Sequence, residues 1–213
     1  MLKAGRLAAV GVVVLIVLTS SRYTVDLATS SPFIATQGGA KYLGQYTVTA
    51  YACPEEADDK YFPDSSKRTK IRILKKDLKT VVTVDVKNPF LTAMNRNGCG
   101  VVNENPQGYN HLVQKEYFFK KMADFREVDQ VTGAYNRVLI PRYSVAHSTT
   151  ENQLKNNDRG YFIIKGTGAR YEFRVDDKGG FSGKQIDLFY GVGKQAYGEA
   201  LAWGRKQADL YKY

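Results

Sequence analysis

Asp176–Tyr190 reads DDKGGFSGKQIDLFY, and the fold turns on this stretch. Two carboxylates, Asp176 and Asp177, precede the glycines Gly179, Gly180 and Gly183, and a further carboxylate, Asp187, follows within IDLFY. The glycines allow a tight turn and a close approach to a ligand, with no side chain in the way. Ile186 to Tyr190 reads as a short apolar strand. Successive strand side chains point to opposite faces, so Ile186 and Leu188 share one face and Asp187 takes the other. If that face opens into a cleft with apolar walls, desolvation raises the carboxyl pKa and suits Asp187 to donate a proton. If it opens to water, Asp187 is a solvated residue or an acceptor for loop amides, which is the commoner outcome.

Short strands continue on both sides. YFIIKGTGARYEFRVDD (Tyr161–Asp177) reads as a hairpin turning at Gly166–Gly168. No GK[ST] follows, so a phosphate loop is not indicated. GKQAYGEALAWGRKQ, within Gly191–Gln207, reads as a helix, and Trp203 among its apolar residues is expected in the core. ADLYKY closes the chain as a strand. Upstream, residues 148–159 form a polar loop and RVLIPRYSV (Arg137–Val145) reads as a strand held by Pro141. Leu112–Phe125 is loosely helical in spacing, and Phe90–Val102 reads as a strand breaking into a glycine loop. Lys70–Val86 reads as two strands around a basic turn, residues 54–70 as charged turns, and YLGQYTVTAY (Tyr42–Tyr51) as an alternating strand. Many short strands with one late helix predict a mainly β protein built on a small barrel.

The N-terminus is of another kind. Lys3 and Arg6 precede AAVGVVVLIVL (Ala8–Leu18), and Thr19, Ser20 and Ser21 come after it. A basic start, an apolar run and small residues form an export signal. The run is shorter than the roughly 20 apolar residues of a comfortable bilayer span. Residues 1–21 therefore read as a signal peptide, or alternatively as a retained signal anchor holding the membrane through residues 8–18. Residues 22–40 read as a polar linker, and 41–213 as one domain. The expected location is outside the cytoplasm, in the periplasm or the cell wall.

The formal net charge is +10 over 213 residues. Such a surface favours anionic partners, and outside the cytoplasm these are wall polymers or membrane surfaces. The basic runs KKDLK and FFKK read as solvated faces that favour anionic wall polymer. No zinc-finger spacing or RNA-binding motif points to nucleic acid. Cys53 and Cys99 are the only cysteines, and His111 and His147 are expected in surface loops, so no metal site and no cofactor is implied. In an oxidising compartment Cys53 and Cys99 would form a disulfide closing a loop of about 45 residues, worth roughly 3–4 kcal/mol. The alternative is two buried free thiols. A monomer is expected.

Asp177, Gly179, Gly180, Gly183, Ile186, Asp187, Leu188 and Phe189 resemble the pattern D-T-G-G-A-I-K-G-N-R-I-D-L-Y/F. That pattern marks the three-aspartate (3D) domain, shared with the membrane-bound lytic murein transglycosylase A family. Gly191, Gly193, Ala196, Gly204, Arg205 and Leu210–Tyr211 are similar to the family's continuation on the C-terminal side of the pattern. Upstream, Thr49, Ala50 and Tyr51 match a strand ending T-A-Y. Thr92, Ala93 and Gly98 match a T-A-x-G loop, and Ile140, Pro141 and Ser144 match I-P-x-G-S. The Asp177-to-Asp187 spacing is one residue shorter than the pattern, whereas pairing Asp176 with Asp187 restores the length but breaks D-x-G-G. The family's first aspartate falls on Asn136, with Asp85 a rival out of order. Residues 54–88 and 101–134 stand as insertions.

The resemblance implies a six-stranded double-psi β-barrel with a late α-helix and inserted segments, and a peptidoglycan glycan strand as partner. It implies that Asp187 is the single catalytic acid and base of a lytic transglycosylase. One carboxyl suffices because the sugar's own 6-hydroxyl attacks, whereas an ordinary glycosidase needs a second carboxylate. Asp177 would orient loop amides or tune Asp187. Thr49 and Tyr51 would line the cleft with Asn136, Gly179, Gly180 and Gly183. Two other readings remain: an expansin-like module that binds glycan without cleaving it, and an inverting glycosidase using Asp177 or Asp176 as second carboxylate.

Overall fold

The computed structural model describes residues 39–104 and 109–213. The export segment (1–21) and almost all of the linker (22–40) lie outside the described residues. Eleven strands and two helices succeed one another as β1 (Lys41–Cys53), β2 (Arg68–Leu74), β3 (Val81–Lys87), α1 (Asn88–Asn97), β4 (Cys99–Glu104), β5 (Tyr109–Lys115), β6 (Phe125–Glu127), β7 (Ser144–Ser148), β8 (Arg159–Ile164), β9 (Arg170–Gly179), β10 (Gln185–Val192), α2 (Lys194–Trp203) and β11 (Lys206–Lys212).

Six strands close into a barrel in the order β1-β10-β7-β9-β8-β11. Its parallel pairs, β1 with β10 and β7 with β9, flank the antiparallel pair β10 with β7. This is the double-psi arrangement. Alternation builds the interior: Tyr46 and Val48, Val145, Phe162 and Ile164, Phe173 and Val175, Ile186 and Leu188, and Ala208 and Leu210 all point inward and are buried. The 13-residue β1 is long enough to pair with β11 through its first half and β10 through its second. Trp203 closes α2 over the barrel, donating from Nε1 to the Val48 carbonyl at 3.2 Å.

The strands outside the barrel pair with each other. They form a five-stranded sheet, β3-β2-β6-β5-β4. Ile71, Ile73, Val84, Val86, Val102, Val113 and Phe125 bury its inner face against Phe90 and Met94 of α1 and Tyr197 of α2. Cys53, at the end of β1, is disulfide-bonded to Cys99, at the start of β4, so the disulfide ties barrel to second sheet.

Four local expectations are corrected. Phe90–Val102 is not a strand running into a loop. Pro89 lies in the first turn of α1, Phe90, Ala93 and Met94 form its buried face, and left-handed Gly98 ends it. Leu112–Phe125 is not helical, because β5 is held between β4 and β6 and the chain then turns from Glu116. Arg137–Val145 becomes a strand only at Ser144, since the Ile140–Tyr143 segment is spent in a turn containing Pro141. His111 and His147 lie on β5 and β7 rather than in surface loops. His111 Nδ1 meets Glu127 at 3.1 Å, and buried His147 stacks on Tyr135.

Candidate active site

A groove of about 1090 Å³ runs between the barrel and the second sheet. Its floor is set by register. Thr49 of β1 pairs with Asp187 of β10, Asp187 with Ala146 of β7, and Ala146 with Asp177 of β9. These four residues form one row across four neighbouring strands, and all line the groove. Strands lie about 4.8 Å apart, so Asp177 and Asp187 stand roughly 10 Å apart at the backbone, with only the methyl group of Ala146 between them.

In the sequence two aspartates compete for the place before the glycines. A bulge decides between them. The β7–β9 register slips between Val145 and Ala146, where Val145 faces Val175 and Ala146 faces Asp177. The extra residue, Asp176, is wholly buried, accepts from Ser144 Oγ at 2.5 Å and pairs with Arg174 Nε at 2.7 Å. A bulge re-aims side chains in this way. Asp176 therefore holds structure together while Asp177 reaches the groove.

Asp177 is engaged on both oxygens. Oδ1 accepts the backbone N–H groups of Ala134 at 2.7 Å and Lys178 at 2.8 Å, and Oδ2 accepts the Tyr51 hydroxyl at 3.0 Å. Burial raises its pKa, and these three donors counter the rise. Tyr51 is buried and its own pKa is driven up by burial and by the neighbouring Asp177, so it stays a donor. The Ala134 donor depends on Gly133, where a Cβ would sit 2.1 Å from the Asp176 carbonyl oxygen. The bare glycine lets the 131–136 loop lie against β9.

Asp187 is held differently. Its Oδ1 is buried and has no hydrogen-bond partner among the described residues. Burial pushes its pKa up to about 6, the charge of Asp177 adds to the rise, and Thr49 and Arg96 oppose it. A carboxyl in the lining of a groove that stays protonated to about pH 6 can donate a proton to a bound ligand and take one back.

The remaining expected residues divide. Thr49, Tyr51, Gly179 and Gly180 line the groove. The Phe181 ring packs over Gly179, where a Cβ would lie 1.7 Å from it, so a side chain there would displace the ring. Asn136 lies at the exposed rim in a left-handed turn, its N–H bonded to the Gly133 carbonyl at 3.0 Å. Gly183 sits outside the groove, where its N–H donates to Thr150 Oγ1 at 3.1 Å. Asp85 lies on β3, at the edge of the second sheet. Sequence reasoning misses Arg96, Glu116 and Tyr117, which complete the opposite wall. Pro89 and Gly98 are the signals that could have revealed the helix carrying Arg96. The backbone donor of Ala134 has no sequence signal.

A closed six-stranded barrel with a second sheet beside it is the fold of solved MltA-type lytic transglycosylases. Solved structures of that fold superpose on this chain. Escherichia coli MltA with bound chitohexaose matches with a TM-score of 0.55 at 13% identity, over 79% of this chain and 72% of that one. The membrane-bound lytic murein transglycosylase of Agrobacterium tumefaciens matches with a TM-score of 0.52 at 12% identity, over 78% and 73%. At such identities the likeness is one of fold. No protein-family model matches the sequence, and no curated protein matches it.

Proposed function

We propose that the protein is an exported lytic transglycosylase that cleaves peptidoglycan glycan strands, with Asp187 as its only acid and base. The observation that carries this reading is the half-buried Asp187 carboxyl, its buried Oδ1 unbonded among the described residues, protonated to about pH 6 at the floor of the groove. The shared fold supports it, because the Escherichia coli protein holds a chitohexaose. Export rests on the reading of residues 1–21. Among the described residues no helix is long and apolar enough to cross a membrane.

The Asp187 proton passes to the glycosidic oxygen as the bond from that oxygen to C1 breaks. The carboxylate left behind takes the proton of the same sugar's 6-hydroxyl as O6 bonds to C1. A 1,6-anhydro ring results, the acid is restored, and no water is consumed. Thr49 and Tyr51 line the path, Gly180 lets the strand pass close to the backbone, and Asn136 sits at the rim. Asp177 is a positioning residue: it fixes the 131–136 loop and raises the Asp187 pKa by its charge. Inverting hydrolysis needs a second carboxylate free to activate water. With three donors on Asp177, that role is disfavoured.

Mass spectrometry of the sugars released from purified peptidoglycan tests the reading. Anhydromuramyl products are expected from the wild type, with a loss of about 100-fold or more in Asp187→Asn. Reducing-end products would indicate hydrolysis. Binding without any product would leave a glycan-binding module.

A further inference from the structure

The groove carries more positive charge than its own carboxylates neutralise. Arg96, Lys115, Lys178 and Arg205 all line it, and none has a carboxylate partner among the described residues. The nearest ties are neutral. Arg96 Nη2 meets the Tyr197 hydroxyl at 3.4 Å, and Lys178 Nζ lies over the Tyr135 ring, 5.1 Å from its centroid. The other arginine of the groove, Arg126, pairs with Glu116 at 3.6 Å. Elsewhere the protein pairs cations readily: Arg68 with Glu56, Arg142 with Glu199 and Lys212 with Asp158. The four unpaired cations come from three separate parts of the fold: α1 and β5 on one wall, β9 on the floor, and the turn after α2 on the other wall. The charge of Arg96 opposes the rise in the Asp187 pKa, so the two share one groove.

A neutral polysaccharide gives such cations nothing to bind. A muramyl sugar does, because its 3-O-lactyl group ends in a carboxylate or, when substituted, in a peptide bearing carboxylates. We propose that Arg96, Lys115, Lys178 and Arg205 bind carboxylates carried by the muramyl units, so that the groove selects an anionic glycan over a neutral one of equal length. This rests on the glycan-cleaving reading above and names the feature of the strand that is recognised. Arginine presents paired N–H donors that match a carboxylate in geometry as well as charge. The contribution is electrostatic and at the surface, so added salt weakens it.

Binding to full-length Asp187→Asn, which holds ligand without turning it over, tests this by isothermal titration calorimetry at low and high salt. Three hexasaccharides serve as probes: an N-acetylglucosamine hexamer, a muramyl-containing strand with free lactyl groups, and the same strand bearing stem peptides. At least one anionic probe is expected to bind about 10-fold or more tightly than the neutral one, and to lose that advantage in salt. Which anionic probe gains identifies lactyl or peptide carboxylate as the source. Adding Arg96→Gln or, separately, the exposed Arg205→Gln is expected to weaken the anionic probe several-fold more than the neutral one, so that the two affinities converge. Equal binding of all three, indifferent to both substitutions, would overturn the inference and leave glycan cleavage standing. Failure of every probe to bind would remove both.

Discussion

The Tyr51 hydroxyl donates to Asp177 Oδ2 at 3.0 Å, joining β1 to β9 across the groove. Tyr51→Phe deletes this donor and leaves a buried carboxylate oxygen unpaired, at a cost of about 1–3 kcal/mol. Urea unfolding is expected to show that loss. The Asp177 pKa rises without its donor, so Asp177 carries less charge to raise that of Asp187. The pH limb of cleavage is therefore expected to move to lower pH, a shift that a purely structural role would not cause.

Cleavage begins from protonated Asp187. The rate at limiting substrate is expected to fall as pH rises through about 6, in a single descending limb. A profile with its maximum above pH 8 would remove Asp187 as the acid.

The same group links pH to stability. Aspartate ionises near 3.8 when unperturbed and near 6 at this position. Between these values the folded protein keeps a proton that the unfolded chain releases. The stabilisation is therefore complete below about pH 4 and is lost as pH rises through about 6, by about 3 kcal/mol. Asp187→Asn lacks this dependence. Chemical denaturation at pH 4 and pH 7 is expected to show the variant gaining on the wild type at the higher pH.

Gly133→Ala would set a methyl carbon 2.1 Å from the Asp176 carbonyl oxygen, and backbone there has little room to yield. The 131–136 loop is expected to lift, taking the Ala134 N–H from Asp177. The expected result is a loss of cleavage out of proportion to a destabilisation of about 1–3 kcal/mol, measured by product yield and thermal melting of the same samples.

The Cys53–Cys99 disulfide spans a sequence separation of 46 residues. Chain-entropy arguments give a loop of that size about 4 kcal/mol. Reduction, or Cys99→Ser, is expected to lower stability by that order in urea unfolding.

The barrel strands are readable because the signal is local. In Tyr161–Asp177 and Ile186–Tyr190 alternation separates a buried face from a half-buried one over a few residues. Trp203 is placed in the core by the same kind of local reasoning. Elsewhere a short apolar run does not tell helix from strand. Phe90, Ala93 and Met94 lie on one helical face, and Pro89 and Gly98 bound it, but ten residues are too few for periodicity to decide. Leu112 looks helical with Phe118, Phe119, Met122 and Phe125 because the chain leaves β5 after Lys115, between Leu112 and the rest.

The site is legible in part for the same reason. The sequence determines that Asp187 faces away from Ile186 and Leu188, since alternation along one strand requires it. Only the tertiary structure decides what it faces: a row of Thr49, Asp187, Ala146 and Asp177 drawn from four strands, walled by a sheet whose strands all lie between β1 and β7 in the chain. It also chooses between Asp176 and Asp177, through a bulge that exists only once β7 and β9 are paired. A carboxyl's chemistry depends on the water it loses and the charges it meets. Both are supplied by residues far away in the chain.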